Sequence, residues 1–280
     1  MYDLKGKVAI VTGAARLRGI GRGCALGLAR AGADIVITGT ARSPEAFPDD
    51  EKKVGWLGLS SVAEEVEAMG RQALAMTSDA TNLQDVQALV QATVDRFGHV
   101  DILINNAGAP RGKDRAPVFD VPEEEFVKVI MTNLMSTFLC SKYVARQLIK
   151  QGQGGKIINM SSISGKRGGR AVAAYDTSKF AIIGFTQSLA MDLAPFKINV
   201  NAICPGATDT MRLDDWGLAE ARQWGVSHAE AKMRIAVETV PLGRLATVED
   251  VANMAVFLSS SCSDFVTGQS INLCGGRVFY

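Results

Sequence analysis

The sequence predicts an α/β protein in which a parallel sheet carries helices on both faces. Short β-branched apolar runs recur at 7–12, 34–38, 72–77, 100–104, 156–160 and 197–203. Segments with apolar residues at helical spacing lie between them, and such alternation makes each helix a crossover between parallel strands. A glycine-rich turn, TGAARLRGIG, joins the first strand to the first helix. With 280 residues and 47% hydrophobic content, the chain has material for one large core.

Charge and composition exclude several functions. Thirty basic residues face 29 acidic ones, for a net charge of +1 without a long block of one sign, so attraction to nucleic acid or to a membrane surface is not expected. The first apolar run is too short for a secretion signal, and no later run reaches the roughly 18 residues of a membrane span. Cys24, Cys140, Cys204, Cys262 and Cys274 are odd in number and widely spaced in apolar contexts. They are expected as buried thiols in a reducing, cytoplasmic setting. His99 and His228 lack partners at ligand spacing and read as surface residues, with no metal site expected.

In chain order, the first strand ends at Thr12. Gly13, Gly19 and Gly21 let the backbone turn tightly and aim a helix N-terminus at a pyrophosphate. No Gly-Lys-Ser/Thr closes the loop, which argues against a P-loop. After the second strand, Gly39 and Thr40 stand where an acidic residue would hold the ribose of NAD. Arg42 lies just beyond, with Arg16 and Arg18 at the same corner. Guanidinium groups there suit a 2′-phosphate, so NADP(H) is favoured and NAD(H) is possible; solvated loop arginines are the alternative. The long connection 43–60, with two prolines, a charge cluster and Trp56, is read as a loop insertion. It either covers the adenine end, joins a subunit contact or is a plain surface feature.

Helices are expected at 61–69 and 82–97. Asp79 follows the third strand, and Asn105 to Gly108 follow the fourth, where ligands lie in open α/β sheets. A long helix over 122–150 carries Val127, Ile130, Leu134 and Phe138 near one stripe, interrupted by Asn133. A buried amide there must find partners. The strand at 156–160 delivers Ser161 and Ser162. Tyr175 and Lys179 stand four apart on the next helix, 175–193, and share a face. A cation beside a phenol lowers its pKa from about 10, which makes the pair a candidate acid/base. The strand at 197–203 is followed by CPGATDT.

From Lys5 to Gly276 these motifs resemble the short-chain dehydrogenase/reductase family: TG…GIG, NNAG, Asn133, Ser162, YDTSK and PGATDT come in the family's order. Ser162 precedes Tyr175 by the family's spacing; Ser161, the competing serine, does not. The resemblance implies a single doubly wound Rossmann-type domain over 1–280, about seven parallel strands with helices on both faces, and a nicotinamide cofactor. Tyr175 would be the acid/base and Ser162 the group holding the substrate oxygen. Lys179 would bind the nicotinamide ribose and depress the Tyr175 pKa, and Asn133 would hold a water leading to solvent. The cofactor would meet Gly13, Gly19, Ile20 and Gly21 at the phosphates, Asp79 and Ala80 at the adenine, and Asn106, Ala107 and Gly108 along the adenosine. Pro205, Gly206, Thr208 and Thr210 would lie at the carboxamide end, and Arg16, Arg18, Thr40 and Arg42 at the ribose corner. Two departures stand out. Five residues separate Gly13 from Gly19 where the family usually has three, which leaves the contacts of Arg16, Leu17 and Arg18 open. Cys274 stands where an Asp is common, which bears on packing or assembly.

The implied activity is NAD(P)(H)-dependent interconversion of a ketone or 3-oxoacyl group and a secondary alcohol, like that of 3-oxoacyl-carrier-protein reductases. A non-catalytic nucleotide sensor is the alternative, and retention of Tyr175 and Lys179 argues against it. The resemblance places a substrate lid over 211–238, where Trp216 and Trp224 would line an apolar pocket or simply pack. Arg111, Lys113 and Arg115, with Lys166, Arg167 and Arg170, crowd the same region. They point to an anionic substrate if they face the pocket, and are solvated loop charges otherwise. The KRGGR stretch at 166–170 is the expected seat of selectivity. A homotetramer is implied through the helices 122–150 and 175–193 and the C-terminal segment.

Overall fold

The computed structural model describes residues 2–280. Seven parallel strands form one sheet: β1 (Val8–Val11), β2 (Asp34–Gly39), β3 (Ala73–Thr77), β4 (Ile102–Asn105), β5 (Gly155–Met160), β6 (Ile198–Pro205) and β7 (Ser270–Leu273), in the order β3-β2-β1-β4-β5-β6-β7. The helices are α1 (Ile20–Arg30), α2 (Asp49–Lys53), α3 (Leu59–Ala68), α4 (Leu83–Phe97), α5 (Glu123–Ile130), α6 (Ser136–Gln151), α7 (Ala173–Leu193), α8 (Met211–Trp224), α9 (His228–Thr239) and α10 (Val248–Ser259).

Alternation along β1 decides which face each residue serves. Ala9 and Val11 join a core with α1, α3 and α10, through Cys24, Leu28, Val62 and Val251. Val8 and Ile10 join the opposite core with α4, α6 and α7, through Val86, Leu89, Val144 and Leu193. Both faces of the central strands are therefore dry, which explains their unbroken apolar runs. Local signals set the helix ends. Asn82 accepts from the backbone N–H groups of Gln84 and Asp85 to start α4, and left-handed Gly98 ends it. Thr247 and Asp250 form a reciprocal capping box on α10.

Strand order reverses between β1 and β4, so a crevice opens beyond their C-terminal ends. Thr12 ties that crevice together: its hydroxyl accepts from the backbone N–H groups of Asn106 and Ala107, each at 3.0 Å. Behind it, Asn105 Nδ2 donates to Ser141 Oγ and to Asn159 Oδ1, while Asn159 Nδ2 donates to Thr186 Oγ1. This buried amide ladder pins β4 and β5 to α6 and α7.

Two expectations are corrected. The helix over 122–150 is not uniform, because a π-turn at Met131–Met135 inserts an extra residue between α5 and α6. Cys262 is exposed, whereas the other four thiols are buried and all five are free. His99 and His228 lie at the surface as expected, with 40% and 35% of their side-chain surface accessible. Among the described residues, no helix is long and apolar enough to cross a membrane.

Candidate active site

Two cavities lie beyond the C-terminal ends of the strands. The smaller, about 300 Å³, is lined by Gly13, Thr38, Gly39, Thr40, Ser78, Asp79, Ala80, Ala107 and Gly108. The larger, about 700 Å³, is bounded by Ile20, Ser162, Tyr175, Pro205, Gly206, Thr208, Thr210 and α8.

The glycine turn lies between them. Gly13 takes a left-handed φ of +67°, a conformation that disfavours other residues. At Gly21 a Cβ would sit 2.5 Å from Asn106 Nδ2 and 2.6 Å from the Gly13 carbonyl oxygen, so only glycine fits. The Asn106 amide in turn donates to the carbonyls of Thr12 and Gly13. No side chain caps the N-terminus of α1 at Gly19, leaving its first N–H groups for an anion. Ser78 Oγ is buried without a partner on the wall of the smaller cavity. An uncapped helix end and an orphaned hydroxyl along one crevice fit a dinucleotide.

The ribose corner differs from its sequence reading. Glu51, on α2 within the 43–60 connection, is fully buried. Its carboxylate accepts from the Leu17 N–H at 3.0 Å and from Arg42 Nη1 at 3.0 Å, and lies 3.6 Å from Arg16 Nη1. Arg42 also donates to the Ala15 carbonyl and stacks on Phe47 at 4.3 Å. Trp56 Nε1 reaches the same Ala15 carbonyl. Burial, then repulsion from Arg42, pulls the Arg16 pKa below its usual range. Arg18 leaves the corner altogether and pairs with Asp214 on α8. Glu51 is the residue that sequence reasoning missed. It sat inside an apparent charge cluster, with only the proline-bracketed setting to mark it.

Around Tyr175 the structure separates the two serines. Ser161 Oγ is buried and donates to the Lys179 carbonyl at 2.9 Å. Ser162 starts the next turn, its hydroxyl accepting from the Ser164 N–H and facing the larger cavity. Lys179 is buried, and its Nζ donates to the Met160 carbonyl at 2.7 Å while lying 5.7 Å from the Tyr175 ring centre. Burial lowers the Lys179 pKa, and Tyr175 partly opposes that. Asn133 occupies the π-turn: Oδ1 accepts from the Ala109 N–H at 2.7 Å, and Nδ2 donates to Ser178 Oγ at 2.8 Å. Its amide thus joins the loop after β4 to α7.

Burial raises the Tyr175 pKa, but Arg212, Lys179, the Ser162 hydroxyl and Arg115 lower it further, so the net shift is downward. Arg115 and Arg212 lie 4.5 and 4.8 Å from the ring centre. Of the six basic residues expected here, Arg111, Arg115, Arg167 and Arg170 line the cavity, while Lys113 and Lys166 are not among its walls. Arg212 and Arg277 join them without having been singled out. The available clue was that Arg212 follows Thr210 by two positions, at the carboxamide end. Trp216 lines the cavity and donates to Glu220; Trp224 lies outside it, against Arg234. The 166–170 loop is tied to α7 by Asp176, which accepts from the Gly169 N–H at 2.6 Å.

Comparison with known proteins agrees with this geometry. A family model described as enoyl-(acyl carrier protein) reductase matches residues 13–277. The 2-dehydro-3-deoxy-D-gluconate 5-dehydrogenase of Dickeya dadantii (strain 3937) is 38% identical over 275 residues, covering 98% of this chain and 96% of that protein. An actinorhodin polyketide ketoreductase variant solved with NADPH superposes with a TM-score of 0.85 at 34% identity, over 98% of both chains. Carveol dehydrogenase from Mycobacterium avium, in complex with NAD, gives a TM-score of 0.89 at 25% identity over 99% of both. The chain therefore belongs to the short-chain dehydrogenase/reductase family, nicotinamide-dependent enzymes that interconvert carbonyls and alcohols.

Proposed function

We propose that Tyr175 is the acid/base through which this nicotinamide-dependent oxidoreductase interconverts a ketone or 3-oxoacyl group and a secondary alcohol. The observation that carries the reading is the placement of a half-buried phenol on the wall of a large cavity, with Arg212 4.8 Å and Lys179 Nζ 5.7 Å from its ring centre, charges that pull its pKa down. The cofactor, when bound, supplies or accepts the hydride. Tyr175 donates its phenolic proton to the carbonyl oxygen in reduction and takes the alcohol proton in oxidation. Ser162 donates to the same oxygen as charge grows on it. Lys179 keeps two ammonium protons for ribose hydroxyls after donating to Met160, and its charge favours the phenolate. Asn133 braces α7 beneath Tyr175, and a water between its turn and Lys179 completes the path to solvent. Helices α8 and α9 serve as the substrate lid, and the chain acts as one domain.

For the cofactor we favour NADP(H), supported by Arg16, Arg42 and the absence of an acid at Gly39 or Thr40. One observation favours NAD(H) as a second reading: Glu51 already neutralises part of the Arg16–Arg42 charge. Assembly as a homotetramer is supported by exposed apolar residues on α5 to α7, among them Val127, Phe138 and Phe180, and by Phe279 and Tyr280 near the C-terminus. Four buried free thiols are in keeping with the cytoplasm.

The test is hydride transfer with a carbonyl panel and each cofactor, comparing wild type with Tyr175→Phe. Loss of roughly 10²–10⁴-fold in turnover with cofactor binding retained supports the reading. Turnover unchanged by the substitution refutes it.

A further inference from the structure

The larger cavity holds more positive charge than the chemistry of Tyr175 requires. Six guanidinium groups line it, from Arg111, Arg115, Arg167, Arg170, Arg212 and Arg277, and Glu220 is the one carboxylate among the lining residues. Glu220 is engaged by the Trp216 indole at 2.8 Å. These arginines come from the loop after β4, the loop after β5, α8 and the C-terminal segment. Sequence neighbourhood alone does not bring them together.

Two of them are held deep beside the phenol. Arg115 keeps only 13% of its side-chain surface accessible and has Asp114 at 3.2 Å as its ion-pair partner. Arg212 donates one Nη2 bond to the Ala109 carbonyl. The remaining Arg212 donor is not satisfied: Nη1 is buried and makes no hydrogen bond among the described residues, while Arg115 Nε faces Asp114 and has no other partner. Unsatisfied buried donors are costly, about 1–3 kcal/mol each and more for charged groups, unless a ligand supplies acceptors. A solvated rim would leave such groups in water, so solvated loop charge does not describe this pair.

We propose that this cavity is an oxyanion-recognition site, taking a carbonyl or alcohol substrate whose carboxylate, sulfonate or phosphate group is held by Arg115 and Arg212 while its reacting carbon faces Tyr175. The inference rests on the reading of Tyr175 as acid/base and names the substrate class of that same site. A guanidinium meets an oxyanion through paired, parallel N–H bonds, which fixes orientation as well as adding affinity. Both groups lie within 5 Å of the ring centre, so the anion belongs on an atom near the reacting carbon, as in a small oxo or hydroxy acid. The volume, about 700 Å³, is of the size that small-molecule sites have. Arg167 and Arg170, exposed on the cavity wall, and half-buried Arg277 carry the same sign and would draw an anion inward. A neutral polyol of equal size would accept from these guanidinium groups only through single hydroxyl oxygens, without the opposite charge and the paired bonds of an oxyanion.

The binding arm uses protein saturated with oxidised cofactor, titrated calorimetrically with malonate, methanesulfonate and inorganic phosphate, with malonamide as the neutral control. Expected is binding of at least one anion and not of malonamide, weakened about 10-fold or more in Arg115→Gln and in Arg212→Gln, since bonds to charged groups contribute about 1.5–3 kcal/mol. Which anion binds best identifies the substrate's acid group. Arg115→Lys, which keeps the charge and loses the fork, should fall between wild type and Arg115→Gln, and it stands in if the glutamine variant fails to fold. The kinetic arm compares 2-oxo and 3-oxo acids with their amides: the acids should be preferred, and the variants should erode that preference mainly through KM. Anion binding equal in wild type and folded variants, or no anion binding at all, overturns the proposal. Tyr175→Phe separates the two readings, because it should keep anion binding while losing turnover.

Discussion

The Arg212 guanidinium on α8 stands 4.8 Å from the centre of the Tyr175 ring on α7. Against the upward push of burial, it heads the groups that lower the phenol's pKa, ahead of Lys179. Removing it therefore raises that pKa. With Tyr175 as the proposed acid/base, the phenolate is the working form in oxidation, so activity should rise as pH climbs through the Tyr175 pKa. In reduction the phenol is the working form, and activity falls over the same interval. Both limbs should move to higher pH in Arg212→Gln, as measured by kcat/KM profiles in each direction. Profiles that coincide with wild type would show that Arg212 does not act on the phenol.

Glu51 sets a second expectation. Glu51→Gln keeps one acceptor oxygen, for the Leu17 N–H, and replaces the oxygen facing Arg42 by an amide NH2, which frees positive charge at the ribose corner. One unit of charge at several ångströms and an effective dielectric of about 20 is worth about 1–2 kcal/mol, so the ratio of kcat/KM with NADP to that with NAD should rise ~10-fold. A ratio that stays put or falls would place the 2′-phosphate elsewhere.

At Asn133 the effect should appear in stability. In Asn133→Ala the Ala109 N–H and the Ser178 hydroxyl lose their partners inside the protein. A penalty of about 2–4 kcal/mol is expected for two such groups, read as a lower urea midpoint with unchanged slope. A change below about 0.5 kcal/mol would mean that water replaces the amide without cost.

Gly21→Ala tests the cradle. The new methyl would lie within 2.6 Å of both the Asn106 amide and the Gly13 carbonyl, and at least one must shift. Cofactor affinity should drop ~10-fold or more, with overpacking costing about 1–3 kcal/mol of stability. Direct cofactor titration and denaturation separate the two effects, and wild-type affinity would exclude close approach at this turn.

Much of this was legible in the sequence, for physical reasons. Strands β1, β2, β4, β5 and β6 showed because burial on both faces demands unbroken apolar runs, β3 showed as a partly exposed edge strand that continues the alternation with helices, and the Ser162–Tyr175–Lys179 group showed because its spacing is local. β7 was harder, since it is a four-residue edge strand whose residues are only half-buried. The π-turn at Asn133 was hidden, as one extra residue in a helix barely disturbs an apolar stripe. Arg212 and Arg277 read as ordinary surface charges until the fold brought α8 and the C-terminal segment over Tyr175. Glu51 was masked in the opposite way: a buried carboxylate looks no different in sequence from the exposed Asp49 two positions before it.

Asp214 serves two masters. It receives Arg18 from the glycine turn and Lys232 from α9, and Lys232 also reaches Asp209 beyond β6. A ligand that draws Arg18 toward its phosphates competes for this carboxylate, and any movement of α8 carries Arg212 with it. Cofactor and substrate affinities are therefore expected to be linked, and linkage is reciprocal: whatever factor the first ligand applies to the second, the second returns to the first.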